Sequence, residues 1–530
     1  MSNEKLYLKQ NVLMEPLVDQ WYAWAHLISP ATAAMNINER HLRIMNSYID
    51  APDVHESAVK NPKMLGGPFV DYKHKRVDEM RELKERTLRE RAQMLAMAQA
   101  IRALEAMLRT EPDGSSLEPF YERVPKPLRG YVELFYDLNN RASFRFIEPL
   151  LYQSEFYDDS TQSLMFSLVL HDHRPFVLST PRLGNPEEIH LKIPFKSSGI
   201  DELFKMKRSP QPYAAVKEAL SLPDEDDEHF LRLLTLDSPT PYQPYAGPTA
   251  RWRYFGHACI LVETTTTTIL LDPMLSYAYE AEVPRYTYAD LPDVIDYALI
   301  THNHQDHILF ETILQLRHKI RHIVVPRNGN GALQDPSLRL LLRQIGFKNV
   351  IELSELESIA TKSGSILGVP FLGEHADLNI HTKLAYRVEV DGHTLLFAAD
   401  SCNIEPALYQ HFAKLYGGVE VLFLGMECDG APMSWVYGAL HTQPIDRKKD
   451  RTRRLAGSNY ERGMAIIDEL KPKEVYVYAM GQEPWLSYIT SIKYTDESNP
   501  IIASNKLIAT CRARGLASER LFGEREMFLI

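Results

Sequence analysis

Thr301-His302-Asn303-His304-Gln305-Asp306-His307 follows directly on an apolar run, Tyr297-Ala298-Leu299-Ile300. Three imidazoles and a carboxylate crowded into six positions cannot share one face of a helix or a strand, whose side chains repeat about every 3.6 or 2 residues. On a tight loop leaving a buried strand they can converge. His302 and His304, two apart, point the same way and suit one metal ion, while Asp306 and His307 turn back toward a second. The spacing predicts a dinuclear metal site carried on a strand-end loop.

At 530 residues the chain is too long for one ordinary domain. Its 45% hydrophobic and 24% charged residues are those of a globular protein, and a net charge of −11 argues against a general nucleic-acid binder. The N-terminal MSNEKLYLKQ has no apolar signal core, and no apolar run long enough for a membrane span occurs. Cys259, Cys402, Cys428 and Cys511 are too scattered for a metal knuckle or a disulfide framework, which fits a reducing cytoplasm.

The first third is helix-rich. His74 to Thr110 lacks Gly and Pro and reads as one long helix, with an apolar stripe of Met94, Ala98, Ile101, Leu104 and Leu108 facing a core or a homodimer seam. Asp237 to Ala250 holds four prolines in fourteen residues and reads as a semi-rigid linker. It divides an N-terminal α+β domain, 1–245, which serves dimerisation or carrier docking, from a C-terminal domain, 246–530. Beyond the linker, strand signals at Arg253 to Val262, Ile269 to Leu271, 297–300, Ile323 to Val325, Leu384 to Val390, Thr394 to Ala398, Val419 to Leu424 and Glu474 to Tyr478 alternate with a few helices. That order predicts a layered α/β sandwich. The threonine run 264–268 lies between two strands and reads as a hairpin.

Further metal ligands have to come from other strand ends. Asp400, at the tip of the apolar Leu395 to Ala399, is costly there unless it meets a cation or donors. Gly373-Glu374-His375-Ala376-Asp377 follows another apolar segment, and neighbours such as Glu374 and His375 on an extended chain cannot easily both face the metals.

Asp272 at a strand end, the HxHxDH loop, the 374 loop and Asp400 resemble, in that order, the metallo-β-lactamase superfamily and its αββα sandwich. In the hydrolases of that superfamily the third motif supplies a histidine and a last histidine follows a late strand. Here Glu374 precedes His375, and Ala479 stands at the late-strand position. Those departures, with Glu148-Pro149-Leu150-Leu151-Tyr152, Leu395 to Asn403 and Ala479 to Trp485, resemble the diiron amino-acid β-hydroxylases of nonribosomal peptide biosynthesis. The resemblance implies a metal set of His302, His304, Asp306, His307, Glu374 and a bridging Asp400, with Glu374 and Asp400 at the reacting centre. It also implies two iron ions, O2 as co-substrate, an external electron donor, and an aromatic or aliphatic aminoacyl substrate, such as leucine, tethered to a carrier domain. A carboxylate-rich set suits iron better than a many-imidazole zinc site. The rival is a dinuclear zinc hydrolase of a phosphodiester, lactone or amide, which would need His375 rather than Glu374 at the metals.

Four residues remain as outer or pocket candidates: Glu427 and Asp429 after an apolar strand, His441, and Trp485. The basic run Arg447 to Arg454 is an expected docking patch for an acidic carrier. With neither a Walker-type glycine loop nor a GxSxG elbow, nucleotide hydrolysis and serine esterase chemistry have no support.

Overall fold

Strand-end polar residues need a sheet behind them, and the C-terminal half supplies two. The computed structural model describes residues 4–530, so Met1 to Asn3 of the polar N-terminal stretch lie outside the described residues. One seven-stranded sheet runs, edge to edge, Val350–Leu353, Ile320–Pro326, Ile295–Leu299, Thr268–Leu271, Ile260–Glu263, Arg251–Tyr254 and Arg525–Phe528. The other runs Ser358–Ala360, Gly364–Val369, Ala385–Val390, His393–Phe397, Val421–Gly425, Glu474–Tyr478 and Ala517–Arg520. Each is antiparallel at one side and parallel at the other.

Alternation along the strands builds the layers. Leu299 and Val324 join Trp252, Ile366, Tyr386, Phe397, Phe423 and Tyr476 in the core between the sheets. Their neighbours Ala298, Ile300, Ile323 and Val325 point the other way, onto helices Phe310–Leu316 and Leu338–Gln344. Helices Ala407–Tyr416, Tyr460–Leu470 and Asn499–Ala513 cover the outer face of the second sheet. The result is the expected αββα sandwich.

The N-terminal half combines helices with a four-stranded sheet in the order Trp21–Tyr22, Val12–Val18, Gln162–Leu168, Ile189–Lys192, and two smaller sheets. The segment read as one helix from 74 to 110 is two, Val77–Glu90 and Ala92–Thr110. The chain breaks at Arg91, whose guanidinium pairs with Asp19 at 2.6 and 2.8 Å and with Asp158 at 3.2 Å. Those bonds hold Arg91 at φ −111°, ψ 24°, outside helical geometry. Ala98, Ile101, Leu104 and Leu108 of the apolar stripe are buried in the chain's own core, against residues such as Met35 and Leu128. The stripe therefore faces inward and is not a dimer seam. The proline-rich 237–250 carries no regular structure and is laid onto the protein by Tyr242, which donates to Glu263 (2.5 Å), and by Tyr245, which stacks on Arg251.

The halves share hydrophobic cores. Leu164, Phe204 and Phe230 pack with Ile313, Leu314 and Leu341 in one cluster. Among the described residues no helix is long and apolar enough to cross a membrane, and all four cysteines are free.

Truncating Leu104, fully buried in the N-terminal core, is expected to cost about 2–5 kcal/mol. Chemical denaturation of Leu104→Ala checks the loss, and sedimentation checks that the association state stays that of wild type. A changed association state with an unchanged midpoint would restore the seam.

Candidate metal centre

The parallel strand Ile295–Leu299 runs straight into Thr301 and the histidine loop, and every member of 301–304 is buried. Thr301 is pinned by the neighbouring strand end. Its N–H and hydroxyl both donate to Asp272, at 2.7 Å each. Asp272 also accepts from His307 Nδ1 at 2.8 Å, which turns His307 Nε2 toward Asp400 Oδ2, 3.1 Å away. Burial opposes a charged His307, but Asp400 and Asp272 outweigh it and raise its pKa well above the usual imidazole range.

The second imidazole is gripped from both sides. His304 Nδ1 lies 2.7 Å from Glu374 Oε1, and its Nε2 is 2.6 Å from the Tyr437 hydroxyl. His302 packs against His307, ring centroids 4.0 Å apart, with its Nε2 3.9 Å from Glu374 Oε2. Burial would raise the Glu374 carboxyl, but His304 and His375 hold it well below the usual carboxylate range. His302, Thr301, His304, Glu374, His307 and Asp400 are thus one assembly.

The 374 loop departs from the extended geometry expected of it. Glu374, Ala376 and Asp377 all have φ between 51° and 63°, the left-handed region. Such a segment does not alternate its side chains, so Glu374 and His375 both reach the cluster. His375 Nδ1 is 2.8 Å from Glu374 Oε2, and its ring is 4.7 Å from that of His304.

One further histidine belongs here. The span from Arg253 to Val262, which reads as one strand, is a hairpin that breaks between Arg251–Tyr254 and Ile260–Glu263. Gly256 (φ 107°) and His257 (φ 50°) make the turn, and a side chain at 256 would come within 2.9 Å of the Trp485 ring. His257 Nε2 thereby stands 3.4 Å from Asp306 Oδ2. Glycine beside histidine in an otherwise apolar strand is the turn signal that marks it.

Three groups have ligand atoms mutually close enough to hold an ion: His302, His304 and Glu374; His302, His307 and Asp400; His257, Asp306 and His307. Because His302 and His307 are shared, the groups adjoin. His302 Nε2, His375 Nε2 and Asp400 Oδ1 are buried and hydrogen-bonded to nothing among the described residues. Buried polar atoms without partners are costly, and a cation relieves that cost. With three carboxylates among the donors, the set fits hard ions such as iron.

The cluster forms the floor of a cleft of about 380 Å³. Phe176, Leu178, Trp435, Val436, Ile489 and Ile492 give it apolar walls, and Ala479 lines it at the end of its strand. Glu427 and Asp429 line it as well, and burial, with Asp400 and Asp429 alongside, pushes the Glu427 carboxyl up to about 8. Its Oε1 accepts from Tyr494 at 3.3 Å. The other two outer candidates do not line it. His441 is half-buried and offers its carbonyl to Arg102, and Trp485 stacks on Arg285, 4.2 Å away, behind the Gly256 turn. The basic run begins as an exposed helix, Arg447–Thr452. It ends at Arg453, bonded to the Ala376 carbonyl, and Arg454, which lines the cleft.

Residues 7–239 match the diiron non-heme beta-hydroxylase N-terminal domain, and 267–477 match the beta-lactamase superfamily domain. Over 533 aligned residues, 98% of this chain and 99% of the relative, the chain is 40% identical to the 4-amino-L-phenylalanyl (CmlP peptidyl-carrier-protein) 3-hydroxylase of Streptomyces venezuelae. The chain belongs to the diiron β-hydroxylase family. Its structure is similar to the crystal structure of CmlA, a diiron beta-hydroxylase from Streptomyces venezuelae, with TM-score 0.93 and 38% identity over 100% of both chains. A glutamate-to-aspartate variant of that hydroxylase gives TM-score 0.91 at 38% identity, covering 99% of this chain and 100% of its own. This family member is a non-haem diiron monooxygenase built on a metallo-β-lactamase-like sandwich.

Glu374→Ala is expected to lower iron to one ion or fewer per chain. His375→Ala is expected to keep both ions, with affinity weakened about 10–100-fold. Iron analysis of the purified variants reads this out; full iron in Glu374→Ala and loss in His375→Ala would exchange the two roles.

Proposed function

We propose that the chain hydroxylates, with O2, the β-carbon of an aminoacyl group held as a thioester on the carrier domain of a nonribosomal peptide synthetase. The whole-chain likeness to a hydroxylase named for a peptidyl-carrier-bound aminoacyl substrate carries this reading. In this proposal His302, His304 and Glu374 would hold one iron and Asp306 and His307 the other, with Asp400, which groups with His302 and His307, as a donor to the pair and His257 a further donor beside Asp306 and His307. Bound there, two irons supply the redox chemistry by which O2, two electrons from an external donor and two protons convert a C–H bond to C–OH and water.

The chain's own residues set the geometry and the medium. Asp272 and Thr301 fix the ring of His307, and Tyr437 fixes that of His304, so neither imidazole turns away from its ion. Phe176, Leu178, Trp435 and Ile492 keep the cleft apolar, which suits an aromatic or a branched aliphatic side chain and excludes water from the reacting carbon. Glu427 and Asp429 line the same cleft, near where the α-ammonium of an aminoacyl thioester would enter. The two-zinc hydrolase reading loses support because the N-terminal 7–239 matches a diiron hydroxylase domain.

Incubating the iron-loaded protein, a reductant and O2 with carriers charged with aromatic or aliphatic amino acids tests the reading by intact mass. One charged carrier is expected to gain one oxygen atom, and the same free amino acid to gain none. Equal conversion of the free and tethered amino acid would remove the carrier from the reaction. Hydrolytic turnover with tightly bound zinc and no O2 uptake would remove the hydroxylase.

A further inference from the structure

Charge is unevenly spread along this chain. Its net charge is −11, yet Arg447, Lys448, Lys449 and Arg451 stand together, all exposed, on the short helix Arg447–Thr452. The two acids of the same segment are taken up by structure. Asp446 caps the helix by accepting from the Lys448 N–H at 2.9 Å. Asp450 accepts from the Ser434 N–H at 3.1 Å and from its hydroxyl at 2.7 Å. Among the described residues none of the four cationic side chains is in an ion pair. Arg447 and Arg451, four apart on one helix, repel each other, so the face is left for a partner of opposite sign.

The helix is fastened to the metal-binding groups without belonging to the cleft. Of the run 447–454, only Arg454 lines the cleft. Backbone bonds from Leu455 to Ala431 (3.0 Å) and from Met433 to Arg453 (3.1 Å) tie the end of the run to 431–433, where Ala431 and Pro432 are cleft wall. Arg453 Nε donates to the Ala376 carbonyl at 2.9 Å, two residues along the backbone from Glu374. A hydrogen bond and a few covalent bonds therefore separate the basic run from a carboxylate that meets His304 at 2.7 Å.

The reaction proposed above takes two electrons from outside, and His302, His304 and Glu374 are buried. Resting on that reading, we propose that the helix Arg447–Thr452 is the docking face of the electron donor, a small acidic one-electron carrier protein of the ferredoxin class. Electron-transfer partners meet over small areas and are guided by complementary charge, and a six-residue helix with four free cations is a face of that kind. A chain of net charge −11 repels an acidic protein elsewhere, so this positive face also orients it. The sequence alone suggested the carrier as the acidic partner of the run; its position favours the donor. A carrier has to deliver its aminoacyl group into the cleft, which the four cations do not line, whereas an electron needs only a short bonded approach. The bonds from Arg453 through Ala376 to Glu374 offer one. Two reduced donors dock in turn. Each is oxidised by one electron at its iron–sulfur cluster, and each of the two ferric ions takes up one and becomes ferrous, with no bond made or broken.

The test uses a plant-type two-iron ferredoxin as the acidic donor and dithionite as a small reductant that needs no docking face. Arg447→Glu, Lys448→Glu, Lys449→Glu and Arg451→Glu combined are expected to weaken calorimetric binding of oxidised ferredoxin about tenfold or more at low salt. Anaerobic reduction of the iron site by reduced ferredoxin should slow by about as much. Both differences should shrink as salt is raised. Iron content, reduction by dithionite, and hydroxylation of the charged carrier by protein already reduced with dithionite should match wild type. Should the fourfold variant lose iron, Lys448→Gln with Lys449→Gln is expected to show a smaller effect in the same direction and decides in its place. Equal ferredoxin binding and reduction in wild type and variant, or none in either, would overturn the docking face. So would a loss of carrier hydroxylation in the variant already reduced with dithionite, which would hand the patch to the carrier. Failure of the dithionite-reduced wild type to hydroxylate any tethered amino acid would instead sink the parent reading, whatever ferredoxin does.

Discussion

His307 joins the two sheets. Its Nδ1 is held by Asp272 at the end of Thr268–Leu271 in one sheet, and its Nε2 faces Asp400 just beyond His393–Phe397 in the other. Two sheets packed through Trp252, Phe397 and Phe423 bring those strand ends to one edge of the sandwich. Strand ends are where backbone direction is free to change, and Asp272 (φ 37°), Ala399 (φ 47°) and Ala479 (φ 53°) all take left-handed backbone there. Non-glycine residues in that region carry strain, which the surrounding packing has to hold. The same edge holds the acids and imidazoles, so strain, buried charge and chemistry share one place.

Much of that edge was legible in the sequence. The HxHxDH run and Asp400 declare themselves because polar residues at the tip of an apolar strand need a partner. The apolar runs at 297–300 and 323–325 marked the strands that lead to that edge. The misreadings have a common physical origin, which is that local periodicity does not report turns of the backbone enforced by distant contacts. His257 was hidden because Arg253 to Val262 is apolar enough for one strand; the turn at Gly256 depends on Trp485, far along the chain. Glu374 and His375 seemed to exclude each other only while the segment was taken as extended. The break at Arg91 follows the same logic, since Asp19 and Asp158 are not readable from helix propensity.

The N-terminal half is part of the site's architecture. Phe176, Leu178 and Leu65 wall the cleft from that side, so the space above the metal-binding groups is defined by both halves. A metallo-β-lactamase-like sandwich alone would leave the cluster open on this face. With the extra wall, the cleft is mostly apolar around a polar floor, and a low-dielectric surround strengthens every interaction made at that floor.

What holds the added wall in place is a buried charge cluster between the halves. Arg174 donates to Glu311 at 3.0 and 2.8 Å, stacks 3.5 Å over Tyr488, and also pairs with Glu15, which Arg182 grips in turn. Tyr22 and Tyr277 donate to the same Glu311, at 2.9 and 2.6 Å. Burial would raise the Glu15 carboxyl, yet Arg182 and Arg174 lower it to about 2. Charges buried this deeply contribute little net stability over apolar packing, but a mispaired arrangement costs several kcal/mol. Geometry is therefore what the cluster fixes. Arg174 lies two residues before Phe176, and Tyr488 directly precedes the wall residues 489–494, so both segments of the cleft wall are held by the one arginine. The wall can take its place only when the two halves are docked, and the cleft is complete only then.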